Sequence, residues 1–163
     1  MATTTPLRGP VTAVTFSAGA QTLAAGAYAV SSAIDTSTLG TNGSTAQAAD
    51  DVDLTMSAGI AATAVANDPI NMFVVTSIDG ITYSDAPADG SSDTTHDGNM
   101  AFVTALTVPS AAAATLVMPL KSIATALGMD TVPRYLKVVV YNGSGAALTS
   151  LAASVQGINR QVA

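Results

Sequence analysis

The chain has 163 residues, of which 48% are hydrophobic and only 10% charged, with no cysteine and a net charge of −6. That length suits one domain with its own core, and the lack of cysteine excludes disulfides, thiol nucleophiles and cysteine-ligated metal centres. The five basic residues, Arg8, Lys121, Arg134, Lys137 and Arg160, form no dense run, so nucleic acid and anionic membrane, which need a concentrated basic patch, are not expected partners.

All eleven acidic residues are Asp. Asp favours turns where Glu favours helices, which points to strands and turns rather than a helical bundle. The opening MATTTPLRGP has no charged segment followed by an apolar run, so a Sec-type leader is not expected. No stretch reaches the roughly 18 uninterrupted apolar residues of a membrane span, and a soluble protein is expected.

Residues 1–10, with three consecutive Thr and two Pro, read as an extended N-terminal arm, and residues 11–163 as a single β-sandwich domain. Val11, Ala13 and Phe16 begin a short strand, and Leu23 to Ile34 hold a second with a third near Gly26. DTSTLGTNGSTAQAAD, residues 35–50, reads as a loop. DVDLTM then alternates, placing Val52, Leu54 and Met56 on a core and Asp51, Asp53 and Thr55 in water. INMFVVTS, residues 70–77, is apolar on both faces, with Ile70, Met72 and Val74 on one and Phe73 and Val75 on the other. Such a strand is central or covered. Asp79-Gly80 then supplies a tight turn, with pairing expected across it.

After a polar stretch, MAFVTALTV puts Met100, Phe102, Leu106 and Val108 on one face and Ala101, Val103 and Ala105 on the other. TLVMPL, residues 115–120, reads as an edge strand because of Pro119. KSIATALG is the best helical segment, closed by Gly128. Last come two apolar arms, with Leu136, Val138 and Val140 in the first and Leu151, Ala153 and Val155 in the second. They read as a hairpin folded through Asn142-Gly143-Ser144-Gly145. The sum is an all-β chain: a jelly-roll-like β-sandwich of about eight antiparallel strands, with at most one or two short helical turns.

Ionisable groups concentrate only in DGITYSDAPADGSSDTTHDGN, which holds Asp79, Asp85, Asp89, Asp93, Asp97 and the single histidine, His96. A calcium loop aligned on Asp85 would need Pro87 as its third ligand and His96 as its twelfth; aligned on Asp93 it would need Thr95 and Thr104. A solvated loop is the better reading, and no metal or other cofactor is expected. His96 lacks a G-x-S-x-G partner motif, there is no tryptophan to make a sugar platform, and no phosphate-binding glycine motif occurs, so no catalytic residue is assigned and the chain does not read as an enzyme. Tyr135, Lys137, Val139 and Tyr141 form a stripe open to two readings, ordinary packing on the outside of a sheet or a protein interface. Together with Phe73 and Val75 it makes up the candidate interface.

The combination VTSIDGITYSDA, LVMPL and VPRYLKVVVYNGSGAALTSLAASVQ resembles the jelly-roll cement or decoration proteins of tailed-bacteriophage capsids, over residues 70–158. The resemblance implies a non-enzymatic virion component, made in the host cytoplasm and placed on the capsid exterior. It would clamp neighbouring subunits of the major capsid protein as a homo-oligomer, with a trimer favoured over a dimer. The alternatives are a tail-tube or tail-completion protein and a carbohydrate-binding tail-fibre protein.

Overall fold

Apolar alternation builds the strands, and the connections decide which strands meet. The computed structural model describes residues 4–16, 22–42, 45–83, 87–92, 100–110 and 112–162. Among them are eleven strands: β1 (Thr4–Val14), β2 (Tyr28–Val30), β3 (Ile34–Asp35), β4 (Gly40–Asn42), β5 (Thr45–Gln47), β6 (Asp51–Ile60), β7 (Pro69–Ser77), β8 (Ala101–Thr107), β9 (Ala114–Ser122), β10 (Tyr135–Asn142) and β11 (Leu148–Val162). One short helix, α1 (Ile123–Leu127), and a 3-10 turn at Thr36–Thr38 complete the described elements.

The first sheet has the order β1-β11-β6-β9, and the second β2-β10-β7-β8, with β3 following β2 along the same edge of β10. All pairings are antiparallel. With the β4-β5 ribbon set aside and β2 and β3 counted as one, the eight remaining strands run 1-8-3-6 and 2-7-4-5. This is the strand order of a jelly roll, two Greek keys closed over one core. Val52, Leu54, Met56, Ala58 and Ile60 of β6 face Ile70, Met72 and Val74 of β7 and Leu136, Val138 and Val140 of β10 in that core.

Five expectations change. First, β10 and β11 do not pair with each other: β10 lies between β2 and β7, β11 between β1 and β6. Asn142-Gly143-Ser144-Gly145 therefore carries the chain from one sheet to the other. The fully buried Asn142 fixes this crossing, its Nδ2 donating to the carbonyls of Leu23 (3.0 Å), Ala24 (3.0 Å) and Ala146 (2.8 Å) while its Oδ1 accepts from the Ser144 hydroxyl at 2.6 Å. Second, residues 4–10 belong to β1 and pair with β11 from Thr4↔Val162 to Arg8↔Ile158, so the boundary drawn at residue 10 falls inside a strand.

Third, residues 36–42 and 45–47 hold the 3-10 turn and the strands β4 and β5 rather than a bare loop. The ribbon approaches β1 and β11 backbone to backbone. A side chain on Gly9 or Gly157 would strike the Leu39 carbonyl, and Asn159 bridges the gap by accepting from Thr41 N–H (2.7 Å) and donating to the Ala48 carbonyl (2.7 Å). Fourth, the β7-β8 register shifts between Met72 and Phe73, which breaks the alternation in β8. Val103 packs on the core while Phe102 stands half exposed. Fifth, Asp51 and Asp53 face away from the core but are buried: Asp51 accepts from Ser122 Oγ (2.7 Å) and Ala124 N–H (3.0 Å) at the start of α1, and Asp53 pairs with Arg8 at 2.6 Å.

Pro119 lies in β9, an edge strand, where its missing N–H is harmless. Helix α1 is capped by the Ser122 hydroxyl on Thr125 N–H (3.0 Å) and closed by Gly128 at φ 66. Among the described residues no helix is long and apolar enough to cross a membrane.

Candidate interaction surfaces

Each sheet has one face on the shared core and one facing outward, and the two outward faces differ. On the second sheet, antiparallel register sets Val139 beside Phe73 and Val30, Lys137 beside Val75, and Tyr141 beside Tyr28. All six candidate interface residues, Tyr135, Lys137, Val139, Tyr141, Phe73 and Val75, therefore lie on one face. That face is a second core. Tyr28 and Val139 are fully buried, Phe73, Val75, Val30 and Met100 nearly so, and Tyr83 and Tyr141 pack at its margin.

Described residues of the chain's own β7-β8 connection, Tyr83 and Met100, pack on it. Gly90 N–H donates to the Tyr28 carbonyl (2.7 Å), Tyr28 N–H to the Ser91 carbonyl (2.8 Å), and Asp89 Oδ1 accepts Val30 N–H (2.8 Å), so residues 89–91 continue the sheet beyond β2. Tyr83 lies with its ring centroid 4.5 Å from Lys137 Nζ, a cation–π contact, and Tyr28 and Tyr141 sit 4.9 Å apart. The Tyr83 hydroxyl is buried without a partner, and burial, then the charge of Asp79, pushes its pKa up. Of the candidate interface, Val139 is thus fully buried and Phe73 and Val75 nearly so, as the packing reading of the stripe requires, while Tyr135, Lys137 and Tyr141 stay half-buried.

The expected pairing across Asp79-Gly80 does not form, because the chain turns there and leaves as the cover. Asp79 Oδ1 accepts from Ser77 Oγ, Ile81 N–H and Thr82 N–H, each at 2.8 Å, and Oδ2 accepts from Thr82 Oγ1 at 3.2 Å. The donors from Thr82, Ile81 and Ser77 hold this carboxyl far below the usual carboxylate range. Gly80, at φ 75, sits against the Tyr135 ring, where a β-carbon would crowd it. Tyr135 itself carries the Arg134 guanidinium at 4.8 Å from its centroid. Asp35 holds Arg134 at 3.3 Å; burial works against its charge, but the bonds from Arg134 and Ser37 outweigh it and lower its pKa.

Away from the buried Asp51 and Asp53, the outward face of the first sheet is bare among the described residues. Pairing places Ala13, Ser154 and Thr55 in one row across β1, β11 and β6, and Ala152, Ser57 and Val117 in the next across β11, β6 and β9. Thr55 and Ser154 join hydroxyls at 2.7 Å, and a shallow depression of about 210 Å³ opens between Thr55, Ser57, Val117, Ala152 and Ser154. Val117 is 69% exposed and Val11, at the β1 edge, 66%. The charged pair Arg8–Asp53 stands at one end. Sequence reading missed this face because its residues are the small Ala, Ser and Thr that carry no hydropathy signal. Val117 was the available clue, since LVM is apolar at consecutive positions in an edge strand.

His96, Asp85, Asp93 and Asp97 lie outside the described residues. Asp79 and Asp89, the described members of that run, accept hydrogen bonds from backbone N–H groups, and among the described residues no group of three His or Asp side chains gathers as a metal site would require. Comparisons with protein-family models, with characterised proteins and with solved structures find no match to this chain.

Proposed function

We propose that this chain is a virion structural protein that decorates the exterior of a bacteriophage capsid, where it clamps neighbouring major-capsid subunits as a homo-oligomer, a trimer rather than a dimer. The observation that carries the reading is the bare outward face of the first sheet. Its central rows, Ala13-Ser154-Thr55 and Ala152-Ser57-Val117, hold no charge, in a chain that seals its other outward face itself. Small uncharged side chains let a second surface approach closely, and nothing there must lose a hydrated charge on contact. A symmetric oligomer hides such a face, and several copies gripping one shell gain avidity.

The jelly-roll strand order agrees with the resemblance carried by residues 70–158. Capsid proteins, lectins and cupins all use that order, so the fold alone does not choose among them. The test is to purify virions, locate the chain in them, and compare the heat resistance of particles assembled with and without it. Expected are a capsid location, attachment that survives high salt because apolar burial is little screened, and less heat-resistant particles in its absence. A tail location, or particles equally resistant without the chain, would overturn the reading.

A further inference from the structure

The crossing from β10 to β11 starts with a chemically labile pair. In an Asn-Gly step the glycine leaves its own amide nitrogen unshielded, and that nitrogen can attack the asparagine side chain. The chain has two such steps, Asn42-Gly43 and Asn142-Gly143. At the second, the fold demands both residues. The Asn142 side-chain amide donates to the carbonyls of Leu23, Ala24 and Ala146 and accepts from the N–H and hydroxyl of Ser144, which takes a group with donors and an acceptor together. A β-carbon at Gly143 would stand 2.6 Å from the Pro69 carbonyl oxygen, so a larger residue would force the backbone apart. The same contacts oppose reaction. Cyclisation must swing Cγ of Asn142 toward the Gly143 nitrogen, release ammonia and admit water. In the folded chain those five bonds hold the amide, and the Asn142 backbone is pinned by Ala27 (its N–H to that carbonyl, 3.0 Å) and Gly26 (whose N–H its carbonyl accepts, 2.7 Å). The residue has no exposed surface.

We propose that Asn142-Gly143 is a deamidation site silenced by the fold: the chain is modified there only when it unfolds and, once modified, cannot refold. In the unfolded chain the Gly143 nitrogen gives up its proton and bonds to Cγ of Asn142, the Cγ–Nδ2 bond breaks, and Nδ2 leaves with that proton as ammonia. Water then opens the resulting succinimide at either carbonyl, leaving aspartate or isoaspartate. Aspartate at this position would turn a carboxylate, with no donor, toward the carbonyl oxygens of Leu23, Ala24 and Ala146. That is a buried charge without a partner. Isoaspartate would also add a methylene to the main chain where the Pro69 carbonyl leaves no room. This chemistry does not depend on what the chain binds.

The test is mass spectrometry of peptides from the full-length chain after incubation at mildly alkaline pH, folded and in urea, reading the amide-to-acid mass gain at each Asn-Gly step. In urea Asn142 should convert alongside Asn42, the internal reference. In the folded chain it should convert at least about a thousandfold more slowly, in keeping with the small fraction of time a folded domain spends unfolded. Phe73→Ala, a substitution in the second sheet away from the crossing, should speed conversion of the folded chain on the order of a hundredfold as the unfolded fraction rises. Asn142→Asp, which makes the product directly, should lower the thermal midpoint by about 10 °C or more, or fail to refold from urea. Equal conversion of Asn142 folded and in urea, or no acceleration in Phe73→Ala, would overturn the silencing. An Asn142→Asp chain that refolds with the wild-type midpoint would overturn the irreversibility, and an Asn142 that stays intact in urea while Asn42 converts would overturn the site itself.

Discussion

Val139 on β10 and Ala152 on β11 hold corresponding positions, each on an inner strand of its sheet with its side chain turned away from the shared core. Val139 is fully buried and Ala152 is open to solvent. The difference comes from the connections. Between β7 and β8 the chain stays in one sheet, and two described residues of the connection, Tyr83 and Met100, pack on the outside of that sheet. Among the described residues the first sheet has no such cover, and each of its strands neighbours, in chain order, a strand of the other sheet once the β4-β5 ribbon is set aside. Strands with apolar residues on both faces, β7 and β10, are the ones that receive the cover; the middles of β6 and β11, with Ser, Thr and Ala outward, do without one among the described residues.

The sharpest way to break this contrast is to place one charge on each face. Val139→Asp puts an unpaired carboxylate in the sealed layer and should lower stability by at least about 4 kcal/mol in denaturant titration. Val117→Asp on the bare face should stay within about 0.5 kcal/mol. Equal effects would mean that the two faces are not sealed and bare as described. Phe73→Ala, which removes the ring that meets Phe102 edge-on at 5.7 Å, should cost about 3 kcal/mol.

Much of this was legible in the amino-acid order and some was not, for identifiable reasons. The alternation Val52-Leu54-Met56 located β6 and its inward face, the double apolar pattern of residues 70–77 located a strand both central and covered, and Ser122 with Gly128 bracketed α1. The hairpin read through Asn142-Gly143-Ser144-Gly145 failed because period-2 patterning specifies a strand and its faces, not its neighbour. In a jelly roll most consecutive strands lie in opposite sheets, so a turn motif there marks a crossing. The stripe from Tyr135 to Tyr141 was open to two readings, packing or interface, and the described residues that pack beside it, Tyr83 and Met100, come from a stretch whose polar composition gave no hint of packing.

Two smaller effects refine the description of the cover. Tyr83→Phe removes a buried hydroxyl that has no partner, so it should be neutral or stabilising by up to about 1 kcal/mol. A clear loss of stability would show that the hydroxyl is bonded after all. Where the cover leaves β7, Asp79 has a folded pKa far below its ordinary value of 3.8. The unfolded chain therefore takes up the proton first, and the stabilisation from this carboxylate is complete above that value and lost as pH falls below it. The gap in thermal midpoint between wild type and Asp79→Ala should accordingly be present at neutral pH and narrow on acidification below 3.8. A gap that widens would contradict the bonding described for the turn.

That the bare face is where copies of this chain meet can be tested most directly by sedimentation of the purified wild type beside a variant carrying Ala152→Asp and Val117→Asp, which flank Ser57 in one row across the sheet. The wild type should sediment as an oligomer and the variant as a monomer, with thermal unfolding showing that each variant subunit remains folded. A wild type that stays monomeric at high concentration, or an oligomer indifferent to both aspartates, would contradict it.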